Sequence, residues 1–155
     1  AMDVRKGYGV CVVDIDHFKQ VNDRFGHESG DRVLVQFAAK LKEMVRRDDV
    51  VSRFGGEEFV VVLKKVDEAK AAEIAGKLRE HIQTSTFTLT DNRTVNLTCS
   101  IGFMFYPFLE YDDAGITFEK MISMADSALY YAKTHGRNAV VKAVAKDNGQ
   151  DFIIL

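Results

Sequence analysis

Hydrophobic positions along this chain recur with two different periods, and the switches between them outline its elements. Residues 8–15, YGVCVVDI, are apolar on both alternating faces until Asp14, as expected of a strand buried in the middle of a sheet. In DHFKQVNDRFG the spacing turns helical: Asp16 is the expected N-cap, Phe18, Val21 and Phe25 share one side, and Gly26 is the stop. HESGD reads as a loop. Residues 31–46 then predict a longer amphipathic helix with Leu34, Phe37, Ala38, Leu41, Met44 and Val45 facing the core.

Residues 50–54 and 58–63 predict two strands joined at Gly55-Gly56, a hairpin signal. Asp67 is the expected cap of a helix whose buried side is Ala71, Ile74, Ala75, Leu78 and Ile82. Residues 87–89 and 95–105 predict a second hairpin, turned at Asp91-Asn92. A helix over about 118–135 carries Met121, Ile122, Ala125, Leu129 and Ala132 inward and stops at Gly136. A strand over 139–145, a turn at DNGQ and an extended 152–155 close the pattern. No linker, repeat or low-complexity stretch interrupts it. The whole of 1–155 reads as one α/β (α+β) domain, a mixed and mostly antiparallel sheet flanked by helices.

Composition changes this picture little. The chain has 155 residues, enough for one good core, and its 46% hydrophobic and 28% charged content is that of a soluble globular protein. No apolar run is long enough to span a bilayer, so membrane contact is not expected. A net charge of -2 gives no general affinity for nucleic acid, and any phosphate binding must come from locally placed groups. Cys11 and Cys99 sit in apolar strand-like runs and read as small buried hydrophobes. The four histidines show no zinc-site spacing. The expected setting is cytoplasmic, as a separate chain or a module of a larger one.

Chemistry concentrates in RFGGEEFVVVL, residues 53–63, where two glycines and two glutamates precede a β-branched run. Asp14 ends the first strand, and Glu57 lies at the hairpin turn. If these strands are neighbours, both carboxylates reach one point at the end of the sheet. Such a pair stays ionised with a cation between its members, and oxygen-only ligands suit magnesium. Taken as a pair alone, two solvated acids at strand ends are the simpler reading.

The block DIDHFKQVNDRFGHESGD (14–31) changes the weighing. Together with RFGGEEF (53–59), SIG (100–102) and AKTHGRN (132–138), it resembles the GGDEF domain of bacterial diguanylate cyclases in a GGEEF form, over about residues 7–138. The resemblance implies a five-stranded, nucleotide-cyclase or polymerase-palm-like catalytic domain. Its implied reaction joins two GTP into cyclic di-GMP and two pyrophosphates. Two domains of a homodimer would face each other with one GTP apiece.

By the same resemblance Asp14 and Glu57 are side-chain ligands of magnesium, with manganese as an alternative, and the backbone carbonyl of Ile15 is a further ligand. The metal would polarise the α-phosphate and activate a ribose 3′-hydroxyl. Asp16 stays between a helix cap and a metal contact. Glu58, expected on the opposite strand face from Glu57, has a supporting role. Asn22 and Asp31 match the pair that reads guanine, whose N1–H and 2-amino donors adenine does not offer. Their structural alternatives are a surface helix residue for Asn22 and the N-cap of the long helix for Asp31.

His17 and Phe18 open a helix whose backbone N–H groups would cradle phosphates. Lys19, Lys133 and Arg137 resemble triphosphate contacts, and Lys19 joins the catalytic set. Lys133 and Arg137 are four apart near a helix end, so both are expected on one side, although basic residues there also suit the helix dipole. His27 is either a nucleotide contact or a loop histidine bonded to backbone. Gly55 and Gly56 would let the chain approach the bound guanosine and phosphates.

Arg46 and Asp49 form an R-x-x-D whose register against GGEEF matches the family's inhibitory site for cyclic di-GMP. Arg46 offers a bidentate fork to phosphate or guanine, and Asp49 an acceptor; a solvated charge run closing a helix is the alternative. The family's LTGLxNR-type helix, expected ahead of the first strand, has no counterpart here, which implies a cut chain or a divergent member. A sensory domain is implied N-terminal to this one in the full-length protein. Two rival functions stay open: a non-catalytic sensor of GTP or cyclic di-GMP, and an adenylate or mixed-dinucleotide cyclase.

Overall fold

The computed structural model describes residues 6–107, 116–146 and 149–155. In chain order its elements are β1 (Lys6–Ile15), α1 (Phe18–Phe25), α2 (His27–Glu43), β2 (Val50–Gly55), β3 (Glu58–Asp67), α3 (Glu68–Thr84), β4 (Thr86–Thr88), β5 (Thr94–Asn96), β6 (Cys99–Tyr106), α4 (Phe118–Thr134), β7 (Val140–Lys146) and β8 (Gly149–Ile154). The main sheet has the order β2-β3-β1-β6-β7-β8, antiparallel except for the β6–β7 pair. The α/β class and the mostly antiparallel sheet agree with the sequence reading. The count does not: there are six strands rather than five, because the chain turns back after β7 and β8 pairs along its outer edge.

Strand alternation sorts the core into two layers. Cys11, Val13 and Ile15 of β1, with Phe59, Val61 and Leu63 of β3, face α1, α2 and α3. Val10, Val12, Val60, Val62 and Met104 face α4. Phe37 anchors the larger layer, with its ring 5.2 Å from that of Phe59 and 6.3 Å from that of Phe87. Truncating so buried an aromatic would cost about 3–5 kcal/mol. On the other face α4 lies so close to β6 that a Cβ on Gly102 would sit 1.8 Å from the Ala125 carbonyl oxygen.

Two boundaries depart from the sequence reading for identifiable reasons. HESGD is not a loop, because Gly26 (φ 89°) separates the two helices by itself and the Gly30 N–H already donates to the Gly26 carbonyl at 3.1 Å. Residues 95–105 are not one strand. The Asp16 N–H donates to the Thr98 carbonyl at 3.0 Å, and the chain switches there from β5, paired with β4, to β6, paired with β1. In α4 Met121 and Ile122 pack half-buried against the core as expected, and Met124, absent from that reading, is buried beside Ala125 and Leu129. Asp67 does cap α3, accepting from the Lys70 N–H at 2.8 Å. The predicted DNGQ turn begins at residues 147–148, which lie outside the described residues. Among the described residues no helix is long and apolar enough to cross a membrane.

Candidate active site

The period of two decides which side chains meet at one end of the sheet. Val10, Val12 and Asp14 follow one another on the α4 face of β1, so the last of them carries a carboxylate where the first two carry core methyls. Asp14 is directly opposite Glu58 on β3. Glu57 lies in the turn just ahead of Glu58, where Gly56 (φ 51°) takes a left-handed conformation and Arg53 Nε donates to the Gly56 carbonyl at 2.8 Å. From above the sheet α4 brings in Lys133, whose Nζ donates to Asp14 Oδ2.

The electrostatics are those of an under-compensated acidic cluster. Asp14 is 4% exposed, and its pKa is raised by burial although Lys133 pulls the other way. Burial and then the Asp14 charge raise Glu57. Glu58 is pushed up to about 7, by burial and then by a hydrogen bond with Asp126 on α4. Lys133 thus acts on three carboxyl groups, Asp14, Glu57 and Glu58, with Arg137 adding a weaker pull on Asp14. Glu58 is on the α4 face with Asp14, and the charges of Asp14 and Lys133 act on both Glu57 and Glu58.

Asp16 is neither the α1 cap nor an open ligand. His17, left-handed at φ 58°, holds the N-cap position, and α1 has no side-chain cap. The Asp16 carboxylate accepts from Thr98 Oγ1 and Ser100 Oγ, each at 2.7 Å, and from the Asn138 N–H at 3.0 Å. It is a strut joining three loops. Phe18 is buried, whereas His17 and Lys19 are exposed at the start of α1.

Arg137 lies beyond the end of α4, so helical spacing does not bring it near Lys133. A left-handed turn at Gly136, Arg137 and Asn138 (φ 103°, 60° and 47°) does so instead, leaving Arg137 Nη1 4.0 Å from Asp16 Oδ1. His27 is the exposed first residue of α2, not a loop residue. Asp31 sits a full turn inside α2, so the N-cap reading is excluded. It is exposed, and it lines a cavity of about 440 Å³ with Leu34, Val35, Arg53 and Phe59. Asn22, half-buried on α1, packs against Gly30 beside it.

Arg46 and Asp49 are far from this cluster, at the other end of the β2–β3 hairpin. α2 ends at Glu43, so the pair is part of the connection and not of a helix end. The Asp49 carboxylate is 1% exposed and accepts from the N–H groups of Arg46 (2.8 Å) and Lys64 (2.9 Å). Arg46 donates to the Lys64 carbonyl and borders a cavity of about 450 Å³ with Lys42, Arg47 and Val51.

Sequence reasoning missed Asp126, Thr98 and Ser100. Asp126 was discoverable, because it precedes Lys133 by two helical turns and so shares its face. The anchoring hydroxyls of Asp16 had no comparable signal. Among the described residues no group of three or more acidic, histidine or cysteine side chains closes around a metal. Asp14 at the end of β1, now paired with Lys133, and Glu57 in the β2–β3 turn offer hard oxygens of the kind that could hold magnesium together with water or phosphate oxygens.

The sequence profile described as "Diguanylate cyclase, GGDEF domain" matches residues 2–139. Response regulator PleD of Caulobacter vibrioides is 43% identical over 135 residues, 86% of this chain. The chain spans only 29% of PleD's length. Among solved structures, the GGDEF domain of PA1120 (YfiN or TpbB) from Pseudomonas aeruginosa superposes with a TM-score of 0.82 at 36% identity, covering 92% of this chain and 85% of that one. The GGDEF domain of DgcB from Caulobacter crescentus, in complex with c-di-GMP, gives 0.77 at 28% identity over 88% and 78%.

Proposed function

The chain belongs to the GGDEF family, and on that premise we propose that it is a diguanylate cyclase, condensing two GTP into cyclic di-GMP and two pyrophosphates. The observation that carries the reading is the meeting of Asp14, Glu57 and Lys133 at one end of the sheet, with carboxylates whose charge burial leaves under-compensated. Asp14, Glu57 and the Ile15 carbonyl would hold a divalent cation, magnesium or manganese. When bound, that cation supplies charge neutralisation at the reacting phosphate and acidifies the 3′-hydroxyl.

The chain's own groups do the rest. Lys133 and Arg137, now on Asp14 and Asp16, would turn to a triphosphate lying along the start of α1. The uncapped N–H groups after His17, at Phe18 and Lys19, would donate to its oxygens, and the exposed Lys19 ammonium adds charge. Asp31 and Asn22 would take the guanine edge, with His27 beside them at the start of α2. Gly55 and Gly56 keep the turn free of side chains, and a Cβ on either would meet nothing within 4 Å. One domain holds one GTP, so two must face each other to close the ring, and a sensory domain would bring them together.

The test is direct. The purified chain at high concentration, given GTP and magnesium, should release cyclic di-GMP and pyrophosphate. Turnover should fall to background in chelator and rise more than in proportion to protein. GTP binding without product at any concentration would instead mark a sensor.

We further assign the Arg46 cavity to the product as an inhibitory site. Asp49, with both carboxylate oxygens already accepting from backbone, holds Arg46 in place, and the arginine, 56% exposed, meets the ligand. Arg46→Ala should therefore abolish inhibition by added cyclic di-GMP and leave initial turnover intact. Equal inhibition of wild type and variant would reduce the motif to a chain turn.

A further inference from the structure

Gly30 stands where its own helix would favour another residue. It is buried near the start of α2 and keeps ordinary helical dihedrals, so alanine would be the better helix former there. What an added Cβ would meet is mostly one side chain: Asn22 Oδ1 at 1.8 Å and Cγ at 2.9 Å, with Phe18 Cζ at 3.3 Å. The backbone of α1 is not in the way. Nothing about the fold therefore demands glycine, while the present placing of the Asn22 carboxamide does.

That carboxamide is available. Among the described residues it makes no hydrogen bond to protein. The next residue along α2 is Asp31, exposed on the cavity it shares with Leu34 and Arg53. The missing Cβ is thus a seat that lets the Asn22 amide lie against α2 at the residue before Asp31.

We propose that Gly30 is a positioning residue for base recognition, acting through Asn22 by leaving it that seat. The proposal rests on the reading of Asn22 and Asp31 as the guanine-recognising pair. A methyl group at Gly30 would push the amide off α2 and away from the nucleobase, with the helix itself as stable as before or more so.

Three variants test this: Gly30→Ala, Asn22→Ala and the double substitution. The readouts are melting temperature and calorimetric binding of a non-hydrolysable GTP analogue with magnesium. Gly30→Ala should melt at or above the wild-type temperature yet bind the analogue roughly tenfold more weakly, the scale of a lost hydrogen bond to the ligand. Asn22→Ala should lose a similar factor, and the double variant no more than the weaker single one, because both act on the same amide. Wild-type binding by Gly30→Ala, or losses that multiply in the double variant, would overturn the proposal. Wild-type binding by Asn22→Ala would remove the guanine reading itself, and the proposal with it, without reference to Gly30. Should Gly30→Ala melt well below wild type, the double variant decides: restored melting with weak binding supports the seat, and unrestored melting ends it.

Discussion

The β2–β3 hairpin carries a charged cluster at each end, and the two are built on opposite principles. At the Arg46–Asp49 end the pair is satisfied: the carboxylate accepts two backbone N–H groups, and the guanidinium leans on it and on a carbonyl. At the Glu57 end Asp14, Glu57 and Glu58 crowd one lysine, with Asp126 against Glu58, and burial raises the pKa of Asp14, Glu57 and Glu58. The first cluster is finished within the protein. The second is unfinished: its carboxyls lean toward the protonated form, and on the reading proposed above a divalent cation would complete it. Removing a charge should therefore cost stability at one end and activity at the other.

The largest effect expected is on catalysis. Glu57→Gln keeps the size of a turn side chain and removes charge from a repulsive group, so melting should be unchanged or slightly higher. Product formation should drop at least ~100-fold, or about 2.7 kcal/mol of transition-state stabilisation, as expected when a metal ligand is lost. Near-normal turnover by the folded variant would place the metal elsewhere.

Asp49→Ala breaks the comparison from the other side. It strips the partner from two backbone N–H groups that a covered carboxylate now serves, and should cost about 2 kcal/mol in denaturant unfolding. Turnover per folded molecule, measured before product accumulates, should hold. A loss under about 0.5 kcal/mol would mean that water replaces the carboxylate freely and that the cluster is not finished in the sense argued above.

How far each end was legible follows from the range of the interactions. Alternation along β1 and β3 is local and repeats, so the buried strands could be read from spacing, while their being neighbours, on which the convergence of Asp14 with the Glu57 turn depends, stayed a condition that the pairing supplies. The helices with continuous apolar stripes, α3 and α4, were legible for the same reason. What was not legible depends on single contacts across long sequence separations. Asp16 looks like a cap until Thr98, Ser100 and Asn138 are seen to fold around it. HESGD looks like a loop because glycine and serine favour one, yet the helix begins there under the control of Gly26. Asp49 looked like a ligand because nothing in R-x-x-D shows that Lys64 lies across the hairpin to occupy it.

The smallest effect expected is on pH dependence, and it asks whether the acidic end is unfinished in free energy as well as geometry. Glu58, opposite Asp14 and hydrogen-bonded with Asp126, has its pKa raised from 4.5 to about 7. The folded state therefore binds this proton more tightly than the unfolded state does. Below about 4.5 the carboxyl is protonated in both and stability is fully present; as pH rises through 7 the fold must carry the charge and that stability is lost. The full displacement would be worth about 3 kcal/mol without screening, and solvent access to this half-exposed group reduces it to about 1 kcal/mol. Glu58→Gln holds a neutral amide at every pH. In chelator it should be about 1 kcal/mol more stable than wild type at pH 8, match it near pH 4.5, and show a flatter profile between. The measurement is urea unfolding across that range. Parallel profiles would show that Lys133 already balances the cluster, and the contrast between the two ends of the hairpin would then be one of geometry alone.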